Sequence, residues 1–205
     1  MIRLEIHSLN PQKRNIETAI EVLREGGLII YPTDTVYGLG CDLFNKKAVE
    51  RIYQIKGQKK QKRLSFICPD LKDIAKYAHV SNPSYKIMRR LLPGPYTFIL
   101  EATRLVPKIL VEKKNTVGIR VPDNLVCHTL LQEFGAPIIS TSAGLPDNQY
   151  MNDPDEIADC FEHFVDLFLD NGSGGLEPST VIDLSGDTPL LIREGKNFDK
   201  TLLGY

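Results

Sequence analysis

The chain is predicted to form one α/β (α+β) domain, a mixed sheet with helices packed outside it, and three features of the sequence carry that prediction. Apolar runs of strand length alternate with segments whose apolar residues recur at helical spacing. The alternation is irregular, which favours a mixed sheet over a strictly doubly wound array. The 205 residues, 42% hydrophobic and 25% charged, suffice for one sizeable core, and no repeat, low-complexity linker or composition shift divides residues 1–205 into two domains.

Residues 3–7 alternate weakly and read as a first strand. Asn10-Pro11 reads as a helix start with proline in the first turn, and Ile16, Ala19, Ile20 and Leu23 form the apolar face of that helix before Gly26 and Gly27 close it. Residues 28–31 read as a buried strand that Pro32, lacking an N–H, ends. A helix over 46–55, with Val49, Ile52 and Tyr53 on one side, leads into a loop over 56–63 and a short strand over 64–68. Two helices follow at 70–77 and 83–92, the second entered at Asn82-Pro83 and stopped by Pro93-Gly94-Pro95. Strand character returns over 96–102 and over 117–121, where Pro122 breaks it. Residues 125–134 form a helix stopped by Gly135, and 137–140 an apolar strand that ends in Ser140, Thr141 and Ser142. A polar loop over 146–153 precedes a helix over 154–161 capped by Asp153, and short strands at 165–169, 180–184 and 190–193 complete the chain.

Several function classes are excluded by composition. Net charge is -1 and the sequence pI about 6.4, so no global basic field recruits nucleic acid, and any such contact needs a local patch. Cys41, Cys68, Cys127 and Cys160 show neither CxxC nor Cys/His ligand spacing, which argues against a metal site and against a disulfide framework. Free thiols in a reducing cytoplasm are expected, and no segment approaches the roughly 18 apolar residues of a membrane span. His79, His128 and His163 lie in unrelated segments, Ser142-Ala143-Gly144 is no GxSxG elbow, and GxxxxGK[ST] is absent.

What remains is a pattern of apolar strands that end in ligand-competent residues: Thr33 to Thr35 after LIIYP, Ser140 to Ser142, Arg120 in VGIRVP and Arg193 in LLIREG. Such strand ends can meet and line a cleft for an anionic ligand rich in hydrogen-bonding groups. The alternative at 33–35 is a polar turn in which Asp34 caps local N–H groups. Arg120 and Arg193 sit among apolar residues, so each is either paired to an internal carboxylate or awaits an anion. Lys56, Lys59, Lys60, Lys62 and Arg63 crowd five cations into eight residues, which suits a phosphate clamp or a solvated basic loop.

Seven motifs, YPTDTVYGLGCD, IKGQKKQKRLSFIC, LLPGPYTFIL, VGIRVP, STSAG, PSTVID and IREG, fall in the order and spacing of the YrdC/YciO family. The chain resembles that family from about residue 14 to 195, and the tail REGKNF is closest to its YciO branch. The resemblance implies a YrdC-like twisted mixed sheet with outer helices around a deep basic cavity. It also implies the chemistry of threonylcarbamoyl-AMP synthases, nucleotidyltransferases that convert L-threonine, bicarbonate and ATP, with magnesium, into threonylcarbamoyl-adenylate and pyrophosphate for modification of adenosine 37 in tRNA. On that basis Thr33, Thr35, Arg120, Ser140 and Ser179 contact threonine. Lys56, Gln58, Lys60, Lys62, Thr116, Ser142, Asn148 and Arg193 serve the nucleotide, and Lys56, Arg120 and Ser142 serve the transfer itself. Two positions depart from the synthase pattern: Gln58 stands where a Lys-x-Arg motif has its arginine, and Gly144 where a Ser-x-Asn motif has its asparagine. The alternative implied by the YciO branch is a protein that binds nucleotide or double-stranded RNA without turnover, although few aromatic platforms accompany the basic loop.

Overall fold

The computed structural model describes residues 1–57, 64–111, 114–144, 150–199 and 201. Among these, eleven strands and six helices occur in the order β1 (Ile2–Glu5), α1 (Lys13–Arg24), β2 (Ile29–Tyr31), β3 (Gly38–Asp42), α2 (Lys46–Ile55), β4 (Ser65–Ile67), α3 (Leu71–Tyr77), β5 (Ala78–His79), α4 (Asn82–Leu91), β6 (Tyr96–Ala102), β7 (Thr116–Arg120), α5 (Leu125–Phe134), β8 (Ile138–Ser142), α6 (Pro154–Phe161), β9 (Leu167–Asp170), β10 (Thr180–Asp183) and β11 (Leu190–Arg193). The strands form one mixed sheet in the order β1-β9-β2-β3-β8-β4-β7-β6-β10-β11, with β5 added against β6. No helix among the described residues is long and apolar enough to cross a membrane.

Strand alternation divides the side chains between two faces. Ile30, Leu39, Cys41, Phe66, Phe98, Leu100, Ile119, Ile139 and Ile182 point to one face, which is packed along its length by α2, α3, α4 and α6. On the other face Ile29, Tyr31, Ile67, Ile138, Leu167 and Leu169 receive only α1 and α5. Further along that second face the inward positions hold Ser65, Thr97, Gly118, Ser140 and Ser142, which offer too little apolar surface to retain a helix. Half of one sheet face is therefore open, and its composition is the reason.

Local chemistry explains where most helices begin. Asn45, Asp70, Ser81, Asn124 and Asp153 each accept a backbone N–H of the first turn, and Gly135 ends α5 in the left-handed region at φ 76°. The expected start at Asn10-Pro11 is corrected: α1 begins at Lys13 after Gln12, whose side chain accepts the His7 N–H at 3.0 Å and so belongs to a turn instead of a cap. Gly38 and Gly40 follow the polar residues 33–35. They lie within β3, antiparallel to β2 and to β8, because the Tyr31 ring lies flat against them. An added Cβ at Gly40 would sit 2.4 Å from the Ile139 carbonyl oxygen and 2.8 Å from the Tyr31 ring. Gly40→Ala should therefore force β3 and β8 apart and cost about 1–3 kcal/mol, seen as a lower urea midpoint at unchanged m-value. A midpoint equal to the wild type would show that the sheet yields there freely.

All four cysteines are free, and burial pushes the Cys41, Cys68 and Cys127 thiols above their usual range. Edge strand β11 is exposed along its length, including Leu190, Leu191 and Ile192.

Candidate functional site

The open half of the sheet face forms a cavity of about 430 Å³. Its floor follows from strand register. Ile67, Arg120, Thr97, Val181 and Arg193 are successive partners across β4, β7, β6, β10 and β11. Arg120 and Arg193 thus share one face, three strand spacings apart, or about 14 Å. Ser140, Ser65, Gly118 and Ile99 make a second row two residues along. Gly118 keeps that row shallow, since a Cβ there would meet the Ser65 Cβ at 3.2 Å. The site therefore lies on the face of the sheet and includes residues from strand interiors, not only the strand ends that the sequence singled out.

Arg120 is 7% exposed and is internally paired. Its guanidinium forms an ion pair with the Asp34 carboxylate, and Nη1 donates to Thr35 Oγ1 at 2.9 Å. Thr35 Oγ1 lies 3.1 Å from Thr33 Oγ1, which donates to the Val36 carbonyl at 2.7 Å. Asp34 Oδ2 and Arg120 Nε have no hydrogen-bond partner among the described residues. Of the two readings left open for Arg120, the internal carboxylate is the one observed. For Arg193 no internal carboxylate partner is seen among the described residues, and edge strand β11 is exposed, so its charge is not sealed in the core. Arg193 instead grips Ser179, donating to the carbonyl from Nε at 3.2 Å and from Nη2 at 2.8 Å, and to the hydroxyl at 3.2 Å.

Thr33, Thr35, Arg120, Ser140, Ser142, Ser179 and Arg193 all line the cavity. Lys56 lies beside it, buried at the end of α2, with its ammonium donating to the Ser142 and Gly144 carbonyls at 3.1 and 2.8 Å. Thr116 is not brought there: it is buried at the start of β7 opposite Glu101, four residues from Arg120, and is not part of the lining. Gln58, Lys60, Lys62 and Asn148 lie outside the described residues, as do Lys59 and Arg63. Sequence reasoning missed Thr97, Ser65 and Lys196. Thr97 Oγ1 lies 2.9 Å from Ser179 Oγ, Ser65 donates to the Ser140 carbonyl at 2.8 Å, and the Lys196 ammonium reaches the Asp34 carbonyl at 2.7 Å. For Thr97 and Ser65 a signal existed, namely a hydroxyl in an otherwise apolar strand.

The titratable residues of the lining are Tyr37, Arg120 and Arg193. Burial pushes the Tyr37 hydroxyl up to about 12, and its oxygen is occupied by the Gly172 carbonyl at 2.6 Å and the Asn171 N–H at 2.9 Å. This lining suits positioning and charge neutralisation better than proton transfer. Among the described residues no three His, Cys, Asp or Glu gather for a metal ion.

Comparison with known proteins agrees with this architecture. The chain is 44% identical over 192 residues to the uncharacterized protein YciO of Escherichia coli, covering 93% of each chain. It superimposes on the crystal structure of that protein with a TM-score of 0.95 at 42% identity, over 99% of this chain and 100% of the other. A putative threonylcarbamoyl-AMP synthase of Methanocaldococcus jannaschii is 34% identical over 195 residues, 94% of this chain and 92% of that one. P. abyssi Sua5 complexed with L-threonine matches with a TM-score of 0.89 at 28% identity, over 95% of this chain and 58% of the longer one. A sequence model of the Sua5/YciO/YrdC family, described as "Telomere recombination", matches residues 21–195. The chain belongs to the Sua5/YciO/YrdC family.

Proposed function

We propose that the chain is a nucleotidyltransferase of the threonylcarbamoyl-AMP synthase type, acting in the open cavity on L-threonine, bicarbonate and ATP. The observation that carries this reading is the cross-strand row from Arg120 to Arg193 over a floor of glycine and hydroxyl side chains, which leaves room for a ligand between two fixed guanidinium groups. Relatives named threonylcarbamoyl-AMP synthase, and a family structure holding L-threonine, support the substrate class. Bicarbonate and threonine would form N-carboxythreonine. Its carboxylate oxygen would bond to the α-phosphorus of ATP as the bond from that phosphorus to the departing pyrophosphate breaks. Thr33, Thr35, Ser140 and Ser179 would orient the amino acid, while Arg193, Ser142 and Lys56 would offset phosphate charge. The product would serve tRNA modification.

The test is pyrophosphate release with L-threonine and bicarbonate present or withheld in turn. Release that needs both supports the reading, and ATP binding without release would favour a YciO-type protein that holds nucleotide or RNA without turnover. Arg193→Ala should weaken ATP binding by about tenfold, the low end for a charged hydrogen bond because the residue is exposed, and should leave the melting temperature nearly unchanged. Equal ATP affinity with lower stability would make Arg193 only a clasp for Ser179.

A further inference from the structure

The direction of each hydrogen bond at the cavity can be worked out from donor counts. Arg120 can only donate, so Thr35 Oγ1 accepts from it. Thr33 Oγ1 spends its hydrogen on the Val36 carbonyl and accepts the Thr35 N–H at 3.0 Å, so the contact between the two hydroxyls runs from Thr35 to Thr33. Both hydroxyl hydrogens are then used, both lone pairs of Thr33 are filled, and Thr35 retains one lone pair. These two hydroxyls can accept a hydrogen bond and cannot give one.

The hydroxyl pair Thr97 and Ser179, next to Arg120 along the floor row, comes out with the reverse sign. Thr97 and Ser179 have two hydroxyl hydrogens and share one contact of 2.9 Å, while Arg193 donates to Ser179 Oγ. Whichever hydroxyl donates to the other, one hydrogen is left over. It lies beside the guanidinium of Arg193, whose Nη1 hydrogens have no acceptor among the described residues. Thr97 is 7% exposed and Ser179 is 7% exposed, so the pair is fixed by packing as well as by the arginine.

We propose that the cavity reads the direction of hydrogen bonding in its ligand, with Thr97 as a positioning residue. Thr97 and Ser179 together present a single hydroxyl donor, next to Arg193, to an anionic oxygen, while Thr35 accepts from the ammonium or hydroxyl of an amino acid. The ligand is therefore held one way round, its acid oxygen toward β6 and β10 and its donor toward residues 33–35. This inference rests on the reading of the cavity as an amino-acid and nucleotide site, and the anionic oxygen belongs either to the amino acid carboxylate or to a phosphate.

Calorimetric titration of L-threonine and of ATP, separately, into wild type, Thr97→Val, Thr97→Ser, Ser179→Ala and Thr97→Val with Ser179→Ala tests it. Each single variant still leaves one hydroxyl hydrogen, so Thr97→Val with Ser179→Ala, which removes the donor, is the variant expected to weaken one ligand by about fivefold to fifteenfold, the loss of one hydrogen bond. Loss for L-threonine places a carboxylate at the donor pair, and loss for ATP places a phosphate there. Thr97→Val and Ser179→Ala alone should each cost little, their combination should cost more than the sum of the two, and Thr97→Ser should match the wild type, a pattern that a purely structural role would not produce. At residues 33–35, Thr35→Val should weaken L-threonine and leave unchanged either 3-hydroxybutyrate, which lacks the ammonium, or 2-aminobutyrate, which lacks the hydroxyl, whichever has lost the group that Thr35 receives. Unchanged binding of both ligands by Thr97→Val with Ser179→Ala would overturn the inference alone. A wild-type protein that binds neither L-threonine nor ATP would overturn the reading of the cavity and the inference with it. Should that double variant not fold, Thr97→Ala with Ser179→Ala decides, since it removes the same two hydroxyls.

Discussion

Arg120→Met should lower the unfolding free energy by about 3–5 kcal/mol, the largest stability effect expected of any cavity substitution. The guanidinium is almost fully buried and is the ion-pair partner of Asp34. Methionine fills much of the same volume and removes the charge, so the Asp34 carboxylate would remain in a low-dielectric site with Oδ2 already unpartnered. Thr35 would also lose its donor, and with it the directional chain through Thr33. Adding Asp34→Asn to Arg120→Met should recover a substantial part of the loss, because the orphan charge is then gone. Urea unfolding of the two single variants and the double variant measures the coupling. Strict additivity, or a loss under 1 kcal/mol for Arg120→Met, would show that the pair does not hold the 33–35 loop.

Gln58→Arg combined with Gly144→Asn should raise pyrophosphate release by on the order of a hundredfold to a thousandfold, while ATP and L-threonine affinities change much less. A donor aimed at charge that develops during transfer acts on turnover more than on ground-state binding, and one such donor is typically worth a factor of that size. The resemblance to the synthases places a guanidinium and an amide at these two positions. Gly144 lies two residues after β8, and its carbonyl holds the Lys56 ammonium at 2.8 Å, so a side chain there would start from a clamped point of the backbone. Wild-type turnover equal to that of an authentic synthase would remove any need for these donors. A double variant that binds both ligands and stays inert would favour the binding-only reading.

Much of the fold was legible where short-range chemistry decides it. The spans of α2, α5, α6, β6 and β11 follow from apolar spacing bounded by Asn45, Asn124, Asp153, Gly135 and the Pro93-Gly94-Pro95 stop. The order of strands was not legible, because it is set by packing between distant segments. Strand β3 was hidden for a specific reason: its glycines answer to the Tyr31 ring, a tertiary demand that looks locally like a turn. At the site, the seven lining residues singled out from motifs converge on one cavity, yet what they do there was not readable. Arg120 could be known to need a partner, but not that Asp34 supplies it. Arg193 was misjudged because LLIR reads as buried, whereas β11 is an exposed edge. Thr97 escaped notice because one hydroxyl in YTFILEA carries no meaning until Ser179 lies beside it.

The pairing of β1 with β9 joins residues 2–5 to residues 167–170. During synthesis the first strand thus waits for more than four-fifths of the chain to leave the ribosome before its only neighbour exists. At translation speeds of about 5–20 residues per second this delay is roughly 10–30 s, far longer than a helix needs to form. Throughout it the apolar stripe of α1, Ile16, Ala19, Ile20 and Leu23, has β2 and β3 to cover but lacks β9, which completes its cluster. The nascent amino-terminal segment is thus a natural client for a chaperone that binds amphipathic helices. The cavity itself, lined by Ser179 and Arg193, is completed only at the very last stage of maturation.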